Sequence, residues 1–118
     1  MPKKILIIDD DPDIVSYLDA TFKDAGYATA FAYHGEEALQ KVKTEKPDLI
    51  TLDMEMPVKG GTMFFVGLRK EKESKEIPVI VISGIGPRPQ TLKAELPTVS
   101  KTIHPDLLLR LVAQTVAS

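Results

Sequence analysis

The chain has 118 residues, the length of one domain, and at 43% hydrophobic and 27% charged it has a globular composition, neither disordered nor membrane-embedded. It contains no cysteine, so disulfides and cysteine–zinc centres are excluded, and 15 basic against 17 acidic side chains leave no positive excess for non-specific nucleic-acid binding. No stretch reaches the roughly 18 apolar residues of a membrane span, and the N-terminus lacks the apolar core and cleavage site of a signal peptide. The expectation is a soluble, cytoplasmic single domain over 1–118, with no output domain and no direct contact with membrane or nucleic acid.

Ile5–Ile8 opens the chain as a short β-branched, uniformly apolar run, the pattern of a strand buried on both faces. Asp11-Pro12 then supplies an N-cap followed by proline at the first helical position, and Ile14, Leu18, Phe22 and Ala25 form one helical face until Gly26 ends it. Tyr27–Ala32 is a weaker strand run. His34–Glu45 gathers Ala38, Leu39 and Val42 on one face and is closed by Pro47. Asp48–Leu52 is a second buried strand run. Thr62–Lys75 turns Met63, Phe64 and Leu68 inward and RKEKESKE outward. Val79–Ile82 is a third buried strand run, and a short strand lies around Thr98–Ser100. Between these two, Gly84–Pro97 carries three prolines and two glycines, leaving room for about two helical turns over Gln90–Leu96. A last helix runs from Pro105 to Ala117.

This alternation of strand and helix predicts an α/β domain around a parallel sheet. In such sheets ligands bind beyond the carboxyl ends of the strands, where strand order reverses. The long strands stop in oxygen-bearing side chains: Asp9 and Asp10 after the first, Asp53 after the third, Ser83 after the fourth. The fifth stops in a cation, Lys101. Like charges brought together at Asp9, Asp10 and Asp53 repel, and a hard divalent cation such as Mg2+ removes that penalty. Asp11 is read as the helix cap, outside the metal set.

ILIIDDDP (5–12), DLITLDMEMPVKGG (48–61), VIVISG (79–84) and Lys101 together resemble the receiver domain of two-component response regulators, of the stand-alone, chemotaxis-regulator-like type. The resemblance spans essentially the whole chain. It implies a flavodoxin-like, doubly wound (βα)5 fold with strand order 2-1-3-4-5, here with the fourth helix shortened or irregular. It also implies roles. Asp53 would accept a phosphoryl group from a phosphohistidine on a sensor histidine kinase or phosphotransfer protein. Asp9, Asp10, Asp53 and the backbone carbonyl of Glu55 would hold Mg2+, while Ser83 and Lys101 would bind phosphoryl oxygens. Such a protein is not an enzyme with a separate substrate; it catalyses its own phosphorylation and slow dephosphorylation and signals through a downstream protein partner.

Three positions depart from the family pattern. Ser83 and Lys101 are only 18 residues apart, Thr98 stands where an aromatic is usual, and Thr102 follows the lysine where proline is common. A phosphorylation-independent pseudo-receiver, acting as an interaction module, is the alternative, though such a module has no reason to maintain repelling carboxylates. A Mg2+-dependent phosphohydrolase would need Glu55 as its general acid. The last helix, with Leu107, Leu108, Leu109, Leu111, Val112 and Val116, covers about 200° of the helical wheel, wider than a ~100° core stripe, and offers a face for a weak homodimer.

Overall fold

Lys4–Ile8 forms strand β1, and its four aliphatic residues Ile5, Leu6, Ile7 and Ile8 are at most 1% exposed, a burial possible only in the middle of a sheet covered on both faces. The computed structural model describes residues 2–53, 61–70, 76–83, 98–100 and 105–117; at 61–65, 83, 98–100 and 117 the description is of backbone alone. The remaining elements are α1 (Pro12–Asp24), β2 (Ala28–Ala32), α2 (Gly35–Glu45), β3 (Leu49–Leu52), α3 (Gly61–Lys70), β4 (Val79–Ser83), β5 (Thr98–Ser100) and α4 (Pro105–Ala117). The strands pair in parallel in the order β2-β1-β3-β4-β5. This is the doubly wound α/β fold expected from the sequence. The two helical turns expected over Gln90–Leu96 lie outside the described residues.

Strand alternation divides the apolar side chains between two faces. Leu6, Ile8, Ile50, Leu52, Val79 and Val81 point one way and pack with Ala38 and Val42 of α2 and Leu68 of α3. Ile5, Ile7, Leu49, Ile80 and Ile82 point the other way and pack with Val15, Leu18 and Phe22 of α1 and Leu108 and Val112 of α4. Leu109, Leu111 and Val116 pack against this second cluster too, so most of the broad apolar surface of α4 is taken up by the core and Leu107, 50% exposed, is left outward.

Helix α1 shows how local signals set the entry to the site. Asp11 caps it, its Oδ1 accepting the Asp13 N–H at 2.9 Å, with Pro12 at the first position. At its other end the Gly26 and Tyr27 N–H groups donate to the Lys23 and Phe22 carbonyls, while Gly26 takes φ +96°. That is a Schellman ending, and its usual apolar contact is supplied by Tyr27 set edge-on to Phe22, ring centroids 6.4 Å apart. The buried face differs in detail from the expected one. Val15 is buried, Ile14 is only partly so, and Ala25 is exposed, because Ala25 is the C-cap residue and has left the helical path.

Two polar ties fasten this framework. The Thr29 hydroxyl of β2 donates to Asp19 of α1, and that bond, together with Lys23 3.1 Å away, holds the Asp19 carboxyl below the usual carboxylate range. At the amino end of the sheet, Lys4 pairs with Glu45 at 3.0 Å and its N–H donates to Asp48 Oδ2 at 2.8 Å.

Candidate functional site

The polar site begins one residue beyond the apolar strands. The ladder on each side of β1 runs one bond further than the strands themselves: Asp9 N–H donates to the Ala32 carbonyl at 3.2 Å, and Asp53 N–H donates to the Ile8 carbonyl at 2.9 Å. These bonds seat Asp9 and Asp53 on adjacent strand ends as continuations of the Ile5–Ile7 and Leu49–Thr51 rows. Both are buried, at 2% and 1% exposure, while Asp10 faces solvent. One carboxylate oxygen from each of the three lies within 4.8 Å of the others. The sequence reading placed these three residues together, and the structure does the same.

Asp9 is anchored at both its side chain and its backbone. Asp9 Oδ1 accepts the Asp11 N–H at 3.0 Å, so the first carboxylate is tied to the cap of α1. Next to the Ala32 carbonyl that accepts the Asp9 N–H, the Tyr33 N–H donates to Glu37 Oε1 at 2.8 Å and the Glu37 N–H donates to His34 Nδ1 at 3.2 Å, closing the start of α2. His34 is thus the N-cap of α2. The part played by Glu37 was not read from the sequence. Its signal was present, since a glutamate three residues after a cap marks a capping box, but histidine stands where that box normally has serine or threonine.

The donor set suits a hard divalent cation. Two buried carboxylates and one exposed carboxylate supply only oxygen, and their mutual repulsion in a site of reduced solvation is relieved by positive charge. Mg2+, which keeps several waters and binds through few carboxylates, fits a cluster open to solvent on the Asp10 side. Ser83 is the last residue of β4, and its backbone pairs with Ser100, the residue before Lys101. Glu55, Lys101 and Thr102 lie outside the described residues, as do Met54, Met56 and His104.

The family model for the response regulator receiver domain matches residues 5–113. The chain belongs to the response regulator receiver family. This receiver is 31% identical to protein Rrf1 of Nitratidesulfovibrio vulgaris over 118 residues, covering all of this chain and 86% of that protein. It is 46% identical over 72 residues to the alkaline phosphatase synthesis transcriptional regulatory protein PhoP of Bacillus subtilis, an alignment covering 61% of this chain and 30% of PhoP. Among solved structures, the chemotaxis protein CheY4 of Vibrio cholerae superposes with a TM-score of 0.89 at 28% identity, covering 97% of the receiver and 98% of CheY4. Among the described residues, the receiver has no helix long and apolar enough to cross a membrane.

Proposed function

We propose that this receiver takes a phosphoryl group onto Asp53 from the phosphohistidine of a sensor histidine kinase or phosphotransfer protein. An Asp53 carboxylate oxygen forms the new bond to phosphorus as the bond from phosphorus to the histidine nitrogen breaks, leaving an acyl phosphate and a histidine that regains a proton. The observation carrying the proposal is the close grouping of two buried aspartates and one exposed aspartate at the carboxyl ends of β1 and β3. Asp9, Asp10 and Asp53, with the Glu55 carbonyl, would hold Mg2+, which supplies neutralising charge for the oxygens of the transferring group. Burial of Asp53 limits the water that reaches the acyl phosphate, and the exposed Asp10 leaves a way in for the donor. In this reading Ser83 and Lys101 bind phosphoryl oxygens.

The domain acts on its own carboxylate and turns over no separate substrate. The added charge shifts a population between two conformations and is read in the cytoplasm by a protein partner. Self-association through Leu107 of α4 is a weak accompaniment at most, because one exposed leucine is too little apolar surface for a stable dimer.

The test is intact mass after incubation with Mg2+ and acetyl phosphate, beside Asp53→Asn. One added phosphoryl group that requires both Mg2+ and Asp53 is the expected result. No added mass on the folded protein, with a known receiver labelled in parallel, would overturn the proposal and leave a phosphorylation-independent docking module.

A further inference from the structure

We infer that Glu37 is a positioning residue for the acidic cluster, acting on Asp9 through the single peptide unit that joins Ala32 to Tyr33. The carbonyl of that unit accepts the Asp9 N–H at 3.2 Å, and its N–H donates to Glu37 Oε1 at 2.8 Å. The two hydrogen bonds therefore belong to one planar, resonance-coupled group. A carboxylate on the N–H side pushes electron density toward the carbonyl oxygen, which strengthens the bond that oxygen accepts. It also fixes the plane of the peptide, and so the direction from which Asp9 is held.

Glu37 is itself well placed to act as a fixed post. Its own N–H is held by His34 Nδ1 at 3.2 Å, and the next residue along α2, Ala38, is fully buried in the core. Asp9 is thus gripped at its backbone by a chain that begins on α2 and at its side chain by Asp11 at the start of α1. A cation held by few protein ligands is sensitive to their placement within about 0.5 Å, and groups that orient such ligands commonly govern affinity about tenfold or more. A plain helix-capping role for Glu37 would affect the stability of α2 and leave the cluster alone.

This inference rests on the proposed binding of Mg2+ by the cluster, and the experiment separates the two. The full chain is compared with Glu37→Ala, Glu37→Gln and Val42→Ala, the last being a core truncation on the same helix. Mg2+ affinity is measured by titration without any phosphodonor, and Asp9 N–H exchange is followed by NMR. Glu37→Ala should weaken Mg2+ binding about tenfold and speed Asp9 exchange. Glu37→Gln, whose amide oxygen still accepts, should recover most of both. Val42→Ala should lower the melting temperature with Mg2+ affinity unchanged. Wild-type affinity in Glu37→Ala, or an equal loss in Val42→Ala, overturns the positioning role while leaving the metal reading intact. A wild-type chain that binds no Mg2+ overturns both.

Discussion

The bodies of the central strands and their carboxyl ends use the same backbone ladder for opposite purposes. Along β1 and β3 it lines up side chains that are fully buried and apolar, apart from Lys4 and Thr51. One residue further, at Asp9 and Asp53, it buries two carboxylates almost as deeply. In the strand bodies, burial is favourable and every neighbour adds to it. At the ends, burial is unfavourable for each charge taken alone and is maintained by the ladder and, at Asp9, by the bond from the Asp11 N–H. Stability and function are thus separated by a single residue along the chain, and a substitution should show which side of that boundary it falls on.

The contrast is tested most severely on the core side. Phe22→Ala empties a fully buried ring position that also closes the end of α1 against Tyr27, and should cost about 3–5 kcal/mol in denaturant unfolding. A loss below about 1 kcal/mol would mean that α1 is not held by this cluster.

On the other side of the boundary the sign reverses. Asp53→Asn, measured in metal-free buffer, should raise stability by about 1–2 kcal/mol, because it removes one of three repelling charges. It should also abolish most of the rise in melting temperature that Mg2+ gives the wild type. A variant less stable than wild type in chelator would show that the cluster is satisfied by its protein surroundings alone.

Thr51 lies on the core side, two residues short of Asp53, 1% exposed between Ile7 and Ile80, its hydroxyl without a hydrogen-bond partner among the described residues. Thr51→Val keeps the shape and removes the orphan group, and should stabilise by about 1 kcal/mol in the same unfolding assay. A destabilised variant would show that the hydroxyl is satisfied after all.

The smallest effect belongs to the surface tie between α1 and β2. The Thr29 hydroxyl and then Lys23 hold the Asp19 carboxyl below its unfolded value, so its stabilisation is present above the unfolded pKa of about 4 and is lost as pH falls through the lower folded one. Asp19→Asn should therefore cost a few tenths of a kcal/mol at pH 7, discounted for solvent screening, with the gap closing between about pH 5 and pH 3. A gap that stays constant with pH would mean that the charge contributes nothing to the bond.

The central strands were legible because a strand buried on both faces needs an uninterrupted apolar run, and Ile5–Ile8 and Val79–Ile82 allow little else. The acidic trio was legible for a related reason: three carboxylates directly after such runs have no packing role. β2 read weakly because it is an edge strand, where Phe31 is 42% exposed and the neighbouring alanines Ala28 and Ala30 are only partly buried. The phase of α1 slipped because periodicity cannot show that the helix ends before Ala25. Glu37 escaped because the capping-box spacing that marks it starts from a histidine instead of a serine or threonine, and because its side chain bonds a peptide unit outside α2. The parts assigned to Ser83, Lys101 and Glu55 come from family resemblance, and their side chains are not among those described.

Strand order also sets a timetable for synthesis. All three clustered aspartates have been made by residue 53, with β1 flanked by β2 and β3, so the acidic end of the sheet can be laid down early. The face carrying Ile5, Ile7, Leu49, Ile80 and Ile82 receives Leu108 and Val112 only when α4 is added, at residues 105–117. Until then, among the described elements, that face has α1 alone for cover. A nascent or truncated chain lacking α4 would carry all three aspartates of its acidic cluster while the apolar face that takes Leu108 and Val112 stayed only partly covered, a state prone to aggregation.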